Sequence, residues 1–593
     1  MHKKIKKLAI LSTIFFAFSL IGCNAKTNEK EGVEVHTFAE LQNALNKQNK
    51  VIKIDDMDFE GRSVSLNYNV TLTSINEHST IKNGYIDVDG PNSEGQYVTV
   101  NINNIHFDGG ITPSSYDLTQ SESFASIFGS ERSNYRCINA SFGYYRLTIE
   151  NCEITNYASE IAPAIYVDNT LRADSKIINI KNIKVFNNVC AYDVMQLSNN
   201  KVEAHIEQAD FYSNYAYKAA GFNISNGAAY INDVHVHDNI FCPFDVDQNN
   251  FQLVGGGVFL GGISGKASNI VIENNETIYG GGLGVSSSFT GSSYFVLENI
   301  TIKNNKAKYG GGVCAFSLAG QPITFINCEI LKNEAEQGSS IFVEVYAKHV
   351  AKNHGGLVEF FFTTFALNHA DDNNAYSFYN AEKTKGELGS IVLKGCLSIG
   401  NDNYESKEED HNYIATEQKA IEDKVISQEM IDNADQNGIY PLKDSVGDVS
   451  VQKKEYDHWS DALKDYSGAF KIGKNKQLSS DKANRTVIII SLSSGIALVI
   501  IASIVLMMVL KNKNKPALVI ENNVDNRKEY FETLNEREKQ IVQLMVQGKK
   551  RKAIADELNY SENTIKKDLT SIYSKLHIND KFDLLNQYKD YID

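Results

Sequence analysis

Basic and hydroxyl side chains concentrate in one short segment near the C-terminus. Lys566 and Lys567 are adjacent, and Thr570 follows Lys566 by about one helical turn. Lysine and threonine side chains donate hydrogen bonds to phosphate oxygens and to base edges of DNA. The candidate DNA-contacting residues are Lys550, Arg551, Ser561, Asn563, Thr564, Lys566, Lys567 and Thr570. These residue types predict promoter DNA as a partner, and no cofactor is predicted.

Four helical segments are predicted to position these side chains. Asn535 to Glu538 has the form of a capping box, and the helix that it opens ends at Gly548. A second helix covers 550–558, and Ser561 caps a third. On the third helix, apolar residues lie on one side and polar residues on the other: Ile565, Leu569, Ile572, Tyr573 and Leu576 against Asn563, Lys567, Thr570 and Ser574. A buried stripe opposite a basic stripe is typical of a recognition helix.

These residues resemble the LuxR-type helix-turn-helix family over about 530–593. The matching positions are Leu534-Asn535-Glu536-Arg537-Glu538, Gly548, Ile554-Ala555, Leu558, Ser561-Glu562-Asn563-Thr564-Ile565-Lys566, Ile572 and Lys575-Leu576. The resemblance implies that Lys566, Lys567 and Thr570 reach base edges, whereas Ser561 and Thr564 lie near phosphate. It implies an all-α four-helix domain, and dimers that often pair through the fourth helix, here Lys581 to Tyr588. The alternative is a helical bundle that does not bind DNA.

Two departures from the family pattern bear on affinity. The run Lys549, Lys550, Arg551 and Lys552 replaces the usual Ser-Asn-Lys-Glu, which favours phosphate binding and strong salt dependence. Asp568 stands where the family usually has histidine. We expect this carboxylate to lie near the DNA backbone, which leaves the affinity for DNA open.

An uncharged stretch at 487–510 predicts a membrane-spanning helix. At about 1.5 Å per residue it is long enough to cross a hydrocarbon layer of roughly 30 Å. Lys511, Lys513 and Lys515 follow it, whereas Arg485 is the lone charge close to its other end. The lysine-rich side is therefore predicted to be cytoplasmic. The alternative is a buried core helix. Ser491, Gly495 and Ala502 share one face, which suits contact with a second copy.

The N-terminus predicts export. Residues 1–22 contain a basic start, an apolar run and Gly22, followed by Cys23. The ending Leu20-Ile21-Gly22-Cys23 resembles the lipobox of bacterial lipoproteins, which implies that Cys23 is lipidated. Ordinary cleavage and an uncleaved anchor are the alternatives. Together with 487–510, this predicts a single-pass protein of the bacterial cell membrane with its N-terminal domain outside.

The segment 34–400 repeats itself. IVIENNETIYGGGL (270–283), ITIKNNKAKYGGGV (300–313) and CEILKNEAEQGSSI (328–341) align, each with a strand, an asparagine and a small-residue turn. The marker asparagines are Asn156, Asn188, Asn214, Asn239, Asn275, Asn305, Asn333 and Asn368. The aligned segments begin at residues 270, 300 and 328. Strand-rich repeats this closely spaced suit a β-solenoid, in which asparagine and glycine take left-handed conformations at corners. The pattern resembles right-handed parallel β-helices of the pectate-lyase-like class, and residues 36–46 predict a capping helix.

Seven cysteines follow Cys23, which is an odd number, and their spacing is not that of a zinc site. We therefore expect buried free thiols rather than a disulfide framework. Cys152 and Cys328 both lie in Asn-Cys-Glu-Ile and are predicted to stack in the core. The net charge of −15 arises before residue 527, because the remainder is nearly neutral.

Two pairs of side chains in the repeat could hold a metal or take part in catalysis. His235 with His237, and Asp245 with Asp247, alternate so that each pair would share a strand face. No third ligand or base is identifiable from the sequence, so solvated residues on the outer face are the alternative. No catalytic or metal-binding residue is therefore assigned, and an enzyme is not predicted.

The predicted organisation has six parts: a signal peptide (1–22), a β-helix (34–400), a polar cap and stalk (401–486), a membrane helix (487–510), a linker (511–529) and a DNA-binding domain (530–593). This arrangement predicts a homodimeric one-component transcription regulator that senses an extracellular ligand or surface, such as carbohydrate. One alternative is a surface polysaccharide-binding or polysaccharide-cleaving protein whose tail regulates its own expression. A third possibility is release of the DNA-binding domain by proteolysis within or near the membrane helix.

Overall fold

A computed structural model describes residues 32–473 and 527–576, together with 578 and 584. Within these ranges it leaves out 92–95, 131, 133–134, 168–175, 199–201, 246–254, 287–294, 317–321, 346–356, 372–375, 381–389, 401–403, 405, 443–449, 467, 548, 550 and 559. Cys23, the segments 1–22 and 487–510, Asp247 and Lys550 thus lie outside the described residues. None of the described helices has the length and apolar character needed to span a membrane. The chain divides into two compact units, Met1–Asn484 and Arg485–Asp593.

Short strands make up most of the first unit, and two α-helices are inserted among its first ten strands. The helices are α1 (Phe38–Asn46) and α2 (Phe124–Phe128). The first coils contain β1 (Val33–Val35), β2 (Val51–Ile54), β3 (Met57–Asp58), β4 (Ser63–Leu66), β5 (Val70–Ser74), β6 (Ser79–Lys82), β7 (Tyr85–Asp89), β8 (Val98–Asn103) and β9 (Ile105–Asp108). The central coils contain β10 (Ile138–Phe142), β11 (Tyr145–Glu150), β12 (Glu153–Thr155), β13 (Ile165–Val167), β14 (Lys176–Phe186), β15 (Val189–Cys190), β16 (Met195–Ser198), β17 (Val202–Tyr212), β18 (Tyr215–Ala216), β19 (Phe222–Ser225), β20 (Ala228–His237) and β21 (Ile240–Phe241).

The later coils continue the same pattern. They contain β22 (Val258–Gly261), β23 (Ser264–Glu273), β24 (Glu276–Tyr279), β25 (Leu283–Ser286), β26 (Phe295–Glu298), β27 (Thr301–Lys303), β28 (Lys306–Tyr309), β29 (Val313–Phe316), β30 (Ile323–Ile326), β31 (Glu329–Leu331), β32 (Glu334–Gln337), β33 (Ile341–Val345), β34 (Leu357–Phe361), β35 (Thr364–Ala366), β36 (His369–Ala370), β37 (Tyr376–Asn380), β38 (Ser390–Lys394) and β39 (Leu397–Ile399). The segment after them contains β40 (Tyr413–Ala415), α3 (Glu417–Glu422), α4 (Gln428–Asp432), α5 (Ala434–Asn437), β41 (Ser450–Gln452), α6 (Lys453–Tyr456) and β42 (Ala469–Lys471).

Parallel pairing in register stacks apolar residues along the unit. Ile180 of β14 pairs with Ile206 of β17, which pairs with Ile231 of β20. The whole stack is buried and consists of Ile52, Leu72, Ile102, Ile149, Ile180, Ile206, Ile231, Ala267, Leu297, Phe325, Phe360 and Leu393. Because a shift of one residue would turn each of these side chains toward solvent, burial holds the register. The prediction of a parallel β-solenoid is confirmed.

A second stack is polar and consists of buried asparagines. Asn275 donates hydrogen bonds from its backbone N and its Nδ2 to Asn305 Oδ1, both at 3.0 Å. The same pair of bonds links each member to the next in the series Asn188, Asn214, Asn239, Asn275, Asn305, Asn333 and Asn368. Each Nδ2 also donates to a backbone carbonyl of the preceding coil, as Asn305 does to Ile272 O at 3.0 Å. These bonds offset the cost of burying the amides.

The structure corrects the prediction for Asn156 and for the corner residues. Tyr157, not Asn156, occupies the ladder position, because Tyr157 N donates to Asn188 Oδ1. Asn156 has φ 61°, like the residue that precedes each ladder asparagine, for example Asn187 at 56° and Asn274 at 57°. The left-handed turn and the buried amide are therefore adjacent positions with different roles. Asparagine suits both, since it tolerates a left-handed backbone and satisfies its own polar atoms.

The prediction for the cysteines after Cys23 is confirmed. All seven are buried, and none of them forms a disulfide bond. Cys152 Sγ donates to the carbonyl two residues before it and to Ile102 O of the preceding coil, and Cys328 Sγ makes the equivalent bonds to Ile326 O and Leu297 O. Both thiols therefore serve as small core groups with weak hydrogen bonds.

The described residues after β39 pack against the last coils. Ala420, Val425 and Ile439 join a buried cluster with Leu331 and Leu397. A second cluster contains Tyr456 and Phe470 with Phe361 and Phe362. Trp459, to which the sequence assigns no role, stacks on Phe361 and Phe362 at centroid distances of 6.2 and 6.1 Å.

The second unit is helical. Its described helices are α7 (Arg527–Glu532), α8 (Glu536–Val546), α9 (Arg551–Leu558) and α10 (Glu562–Lys575). Their shared core consists of Leu534, Ile541, Val542, Met545, Ile554, Ala555, Ile565, Leu569, Ile572, Leu576, Ile578 and Leu584. The predicted apolar stripe of the third helix is confirmed as the buried face of α10.

Candidate nucleic-acid interface

Helix α10 begins with a hydroxyl cap and presents lysines to solvent. Ser561 Oγ accepts a hydrogen bond from Thr564 N at 3.1 Å and lies 2.7 Å from Thr564 Oγ1. Ile565 and Ile572 are fully buried, whereas Lys566 and Lys567 are exposed. The helix thus has a buried apolar side and a basic side, as a recognition helix requires.

Thr570 is exposed, but its hydroxyl is engaged within its own helix. Thr570 Oγ1 donates to Lys566 O at 3.1 Å, one turn earlier. A threonine in this rotamer satisfies a backbone carbonyl rather than a ligand. Rotation about χ1 is therefore needed before Thr570 donates to a DNA base. Asn563 lies in the first turn of α10.

Helix α9 adds two exposed cations at its start. Arg551 and Lys552 are exposed, and neither forms an ion pair with another described residue; the same holds for Lys566 and Lys567. These four groups therefore remain available for phosphate. Lys549, in contrast, contacts the carboxylate of Glu557. The predicted contribution of this basic run is thus reduced at Lys549.

The structure gives Asp568 an ionic partner that the sequence did not predict. The guanidinium of Arg537 in α8 forms an ion pair with the Asp568 carboxylate, and Asp568 is only 22% exposed. Arg537 also lies over the ring of Tyr560, 4.1 Å from its centroid. The hydrogen bond to Asp568 raises the pKa of Arg537, and the negative charge of the Asp568 carboxylate raises it further. The pairing counters the repulsion between this carboxylate and DNA.

A buried carboxylate ties α8 to α10. Glu538 is 6% exposed in its side chain and accepts hydrogen bonds from Asn535 N, Ser571 Oγ and Lys575 Nζ at 2.9, 2.9 and 2.6 Å. Burial raises the pKa of Glu538, but the bonds from Lys575, Asn535 and Ser571 outweigh it and hold the pKa below the usual value. The capping box is confirmed by Asn535 and Glu538. Its second use, as an anchor for the recognition helix, was not predicted.

On the solenoid, His235 and His237 share one face of β20, as predicted. Their rings stack with centroids 4.0 Å apart. Asp210 of β17 supplies a third group, with Oδ1 3.2 Å from His237 Nε2 and 3.9 Å from His235 Nδ1. Glu273 of β23 lies on the other side of His235, with its Oε1 2.7 Å from His235 Nε2.

Sequence reasoning did not find Asp210 and Glu273, because they lie on neighbouring coils. The coil register pairs Asp210 with His235 and His237 with Glu273. Asp245 is not part of this group: it is exposed, lies outside the strands, and donates its backbone N–H to Glu122 O. The prediction that Asp245 occupies a strand face is therefore wrong.

Comparison with known proteins identifies the helical segment. Residues 532–586 match the family described as bacterial regulatory proteins, luxR family. This segment includes α8, α9 and α10, so the exposed lysines belong to a LuxR-type DNA-binding domain, as predicted. A search of curated proteins found no match to the chain.

Among solved structures, the chain is similar to one described as the crystal structure of the periplasmic alginate epimerase AlgG. The sequence identity is 10%, the alignment covers 60% of this chain and 82% of that chain, and the TM-score is 0.30. At this TM-score the likeness carries no weight for function. The β-solenoid fold rests on the strand register itself.

Proposed function

We propose that this chain is a membrane-anchored one-component transcription regulator that binds promoter DNA with its LuxR-type domain. The observation that carries the proposal is the pair of exposed lysines on α10, within the segment that matches the luxR family. Lys567 lies opposite the buried stripe and Lys566 lies on its flank, so a helix docked in the major groove would bring both within reach of the bases.

The surrounding groups fit phosphate contacts. Arg551 and Lys552 at the start of α9 would neutralise backbone phosphates, and Lys550 would add to them. Ser561 and Thr564 place hydroxyls at the N-terminus of α10, where backbone N–H groups also favour an anion. Contacts of this kind position the protein, while the lysines of α10 select the sequence.

Membrane anchoring and sensing form the second part of the proposal. Its support comes from the sequence: an export segment at 1–22, Cys23 as a candidate for lipidation, and the uncharged stretch 487–510 followed by lysines. In this arrangement the β-solenoid lies outside the cell and the DNA-binding domain lies in the cytoplasm. Binding of an extracellular ligand would change the pairing of two chains, and with it the fit of two recognition helices to two half-sites.

Chromatin immunoprecipitation of the full-length protein tests the proposal. We expect discrete promoter peaks from the wild type, and loss of those peaks from the double variant Lys566→Ala, Lys567→Ala. The matched control is Lys306→Ala, Lys308→Ala, which removes two exposed lysines from the solenoid and should leave the peaks unchanged. The absence of peaks from an intact, membrane-inserted wild type would refute the tethered regulator. Equal loss of peaks in both double variants would refute the assigned role of α10.

A further inference from the structure

The outer face of the solenoid holds a convergent set of ligand atoms on strands β17 and β20. Asp210, His235 and His237 each offer one atom, and these atoms lie within 4.8 Å of one another. The closest two, Asp210 Oδ1 and His237 Nε2, are 3.2 Å apart. In a tetrahedral zinc site with bonds of about 2.0–2.1 Å, neighbouring ligand atoms lie about 3.3 Å apart. The observed spacing is close to this value, so only small side-chain movements are needed to enclose an ion.

The far nitrogen of each imidazole faces a carboxylate. His235 Nε2 lies 2.7 Å from Glu273 Oε1, and His237 Nδ1 lies 2.7 Å from Asp238 Oδ2. An ionised carboxylate only accepts hydrogen bonds, so each far nitrogen carries a proton, and in the neutral imidazole the near nitrogen is then unprotonated. The near nitrogens, His235 Nδ1 and His237 Nε2, then present lone pairs toward Asp210. Such a carboxylate-histidine arrangement is typical of metal ligands.

The group at the centre lacks a donor. Asp210 Oδ1 is shielded from solvent and accepts no hydrogen bond from any described residue. Two lone pairs and a carboxylate oxygen repel one another at these distances, and a metal ion bound between them would remove this repulsion, as would protons on the near nitrogens. Glu273 is itself held in place by Lys303 Nζ at 2.9 Å, so the outer ring of contacts extends to a fourth coil.

We propose that Asp210, His235 and His237 bind a divalent transition-metal ion, with Zn²⁺ as the representative ion. Two imidazoles and one carboxylate suit Zn²⁺, Ni²⁺ or Cu²⁺, whereas Ca²⁺ and Mg²⁺ prefer oxygen ligands. Three protein ligands leave a fourth position of a tetrahedral ion free for water or for a group of a ligand. Because His235 is 39% exposed and Asp210 37%, this position faces solvent. The site does not depend on the proposed DNA-binding function.

Isothermal titration of the metal-free, untagged full-length protein in detergent with ZnCl₂ tests the site. Wild-type protein should bind one equivalent of Zn²⁺ that the double variant His235→Gln, His237→Gln does not bind. Asp210→Asn should weaken this binding at least tenfold, and Glu273→Gln, which alters an outer contact, should weaken it about tenfold. Cobalt bound in place of zinc should give d-d absorption bands that are absent from the double variant.

His205→Gln provides the matched control. His205 also lies on β17, pairs with a carboxylate, Glu203, at 2.8 Å, and stacks on the ring of Tyr230. It belongs to no group of three metal-ligating side chains among the described residues. Zinc binding should therefore be unchanged in this variant. Equal zinc binding by wild type and the His235→Gln, His237→Gln variant would overturn the proposal, as would Ca²⁺ binding as tightly as Zn²⁺. Matching circular dichroism spectra ensure that lost binding does not reflect unfolding.

Discussion

At the scale of single residues, Asp568 decides how the recognition helix meets a polyanion. By sequence alone it places a negative charge beside the DNA backbone. In the structure its carboxylate is paired with Arg537, which reaches across from α8 and also covers the ring of Tyr560. The net charge of this ion pair is close to zero, so in the proposed complex with DNA the lysines of α10 would act without local opposition.

Removal of Arg537 should expose this charge. We expect Arg537→Ala to weaken promoter binding on the order of tenfold, because an unpaired carboxylate then faces phosphate. Fluorescence anisotropy with a labelled promoter fragment measures the change. Asp568→Asn in the Arg537→Ala background should restore most of the affinity. If the double variant binds as weakly as Arg537→Ala alone, Arg537 itself contacts DNA and the pairing explanation is wrong.

At the scale of elements, the asparagine ladder links coil to coil within the solenoid. Asn305, for example, donates from its backbone N and Nδ2 to Asn333 Oδ1 of the next coil, and its Nδ2 also donates to the carbonyl of Ile272 in the preceding coil. Solenoid stability depends on interfaces between neighbouring repeats, so a ladder of this kind acts locally on each interface. The left-handed residue beside each amide turns the chain, and the amide then satisfies polar atoms that the turn leaves inside.

Asn305→Ala should loosen one such interface. Asn275 would lose the acceptor of two hydrogen bonds, and Asn333 Oδ1 would lose the Nδ2 donor of residue 305 but keep its backbone N–H donor. Each buried polar group left without a partner costs about 1–3 kcal/mol. Hydrogen exchange of peptides covering 270–340 should therefore accelerate by at least tenfold. Lys306→Ala, one residue away and exposed, should leave exchange unchanged. Identical protection in the two variants would contradict the role of the ladder.

At the scale of the whole molecule, the proposed topology places the two compact units on opposite sides of a membrane. Both units expose lysines that an amine reagent can modify: Lys306 and Lys308 on the solenoid, Lys566 and Lys567 on α10. Because both units carry such lysines, one labelling experiment can report on which side of the membrane each unit lies.

A membrane-impermeant amine reagent should label Lys306 and Lys308 in intact cells and label Lys566 and Lys567 only after lysis. The physical reason is that the lysines following 487–510 favour retention of that end in the cytoplasm. Peptide mass spectrometry of the labelled protein gives the ratio for each site. Labelling of Lys566 in intact cells, or protection of Lys306 there, would reverse the proposed orientation.

Local patterns in the sequence were enough to predict both folds. The third helix was predicted from its cap at Ser561 and from apolar residues spaced to share one side, and both features depend on residues within a few positions of one another. The solenoid was predicted in the same way, because each coil repeats an alternating strand followed by an asparagine and small residues. Burial of the predicted stripe and the parallel register agree with these patterns.

Contacts between distant residues were decided only by the tertiary structure. Asp210, His237 and Glu273 lie on three successive coils, and their alignment depends on loop lengths that no local pattern specifies. The same reason explains the error at Asn156, where an asparagine in the right motif stands one position before the ladder. It also explains the pairing of Arg537 with Asp568 across two helices. The sequence by itself thus determined which elements form and which faces are buried, because these follow from short-range periodicity; tertiary packing decided which charges meet, because electrostatic partners are selected by distance in space.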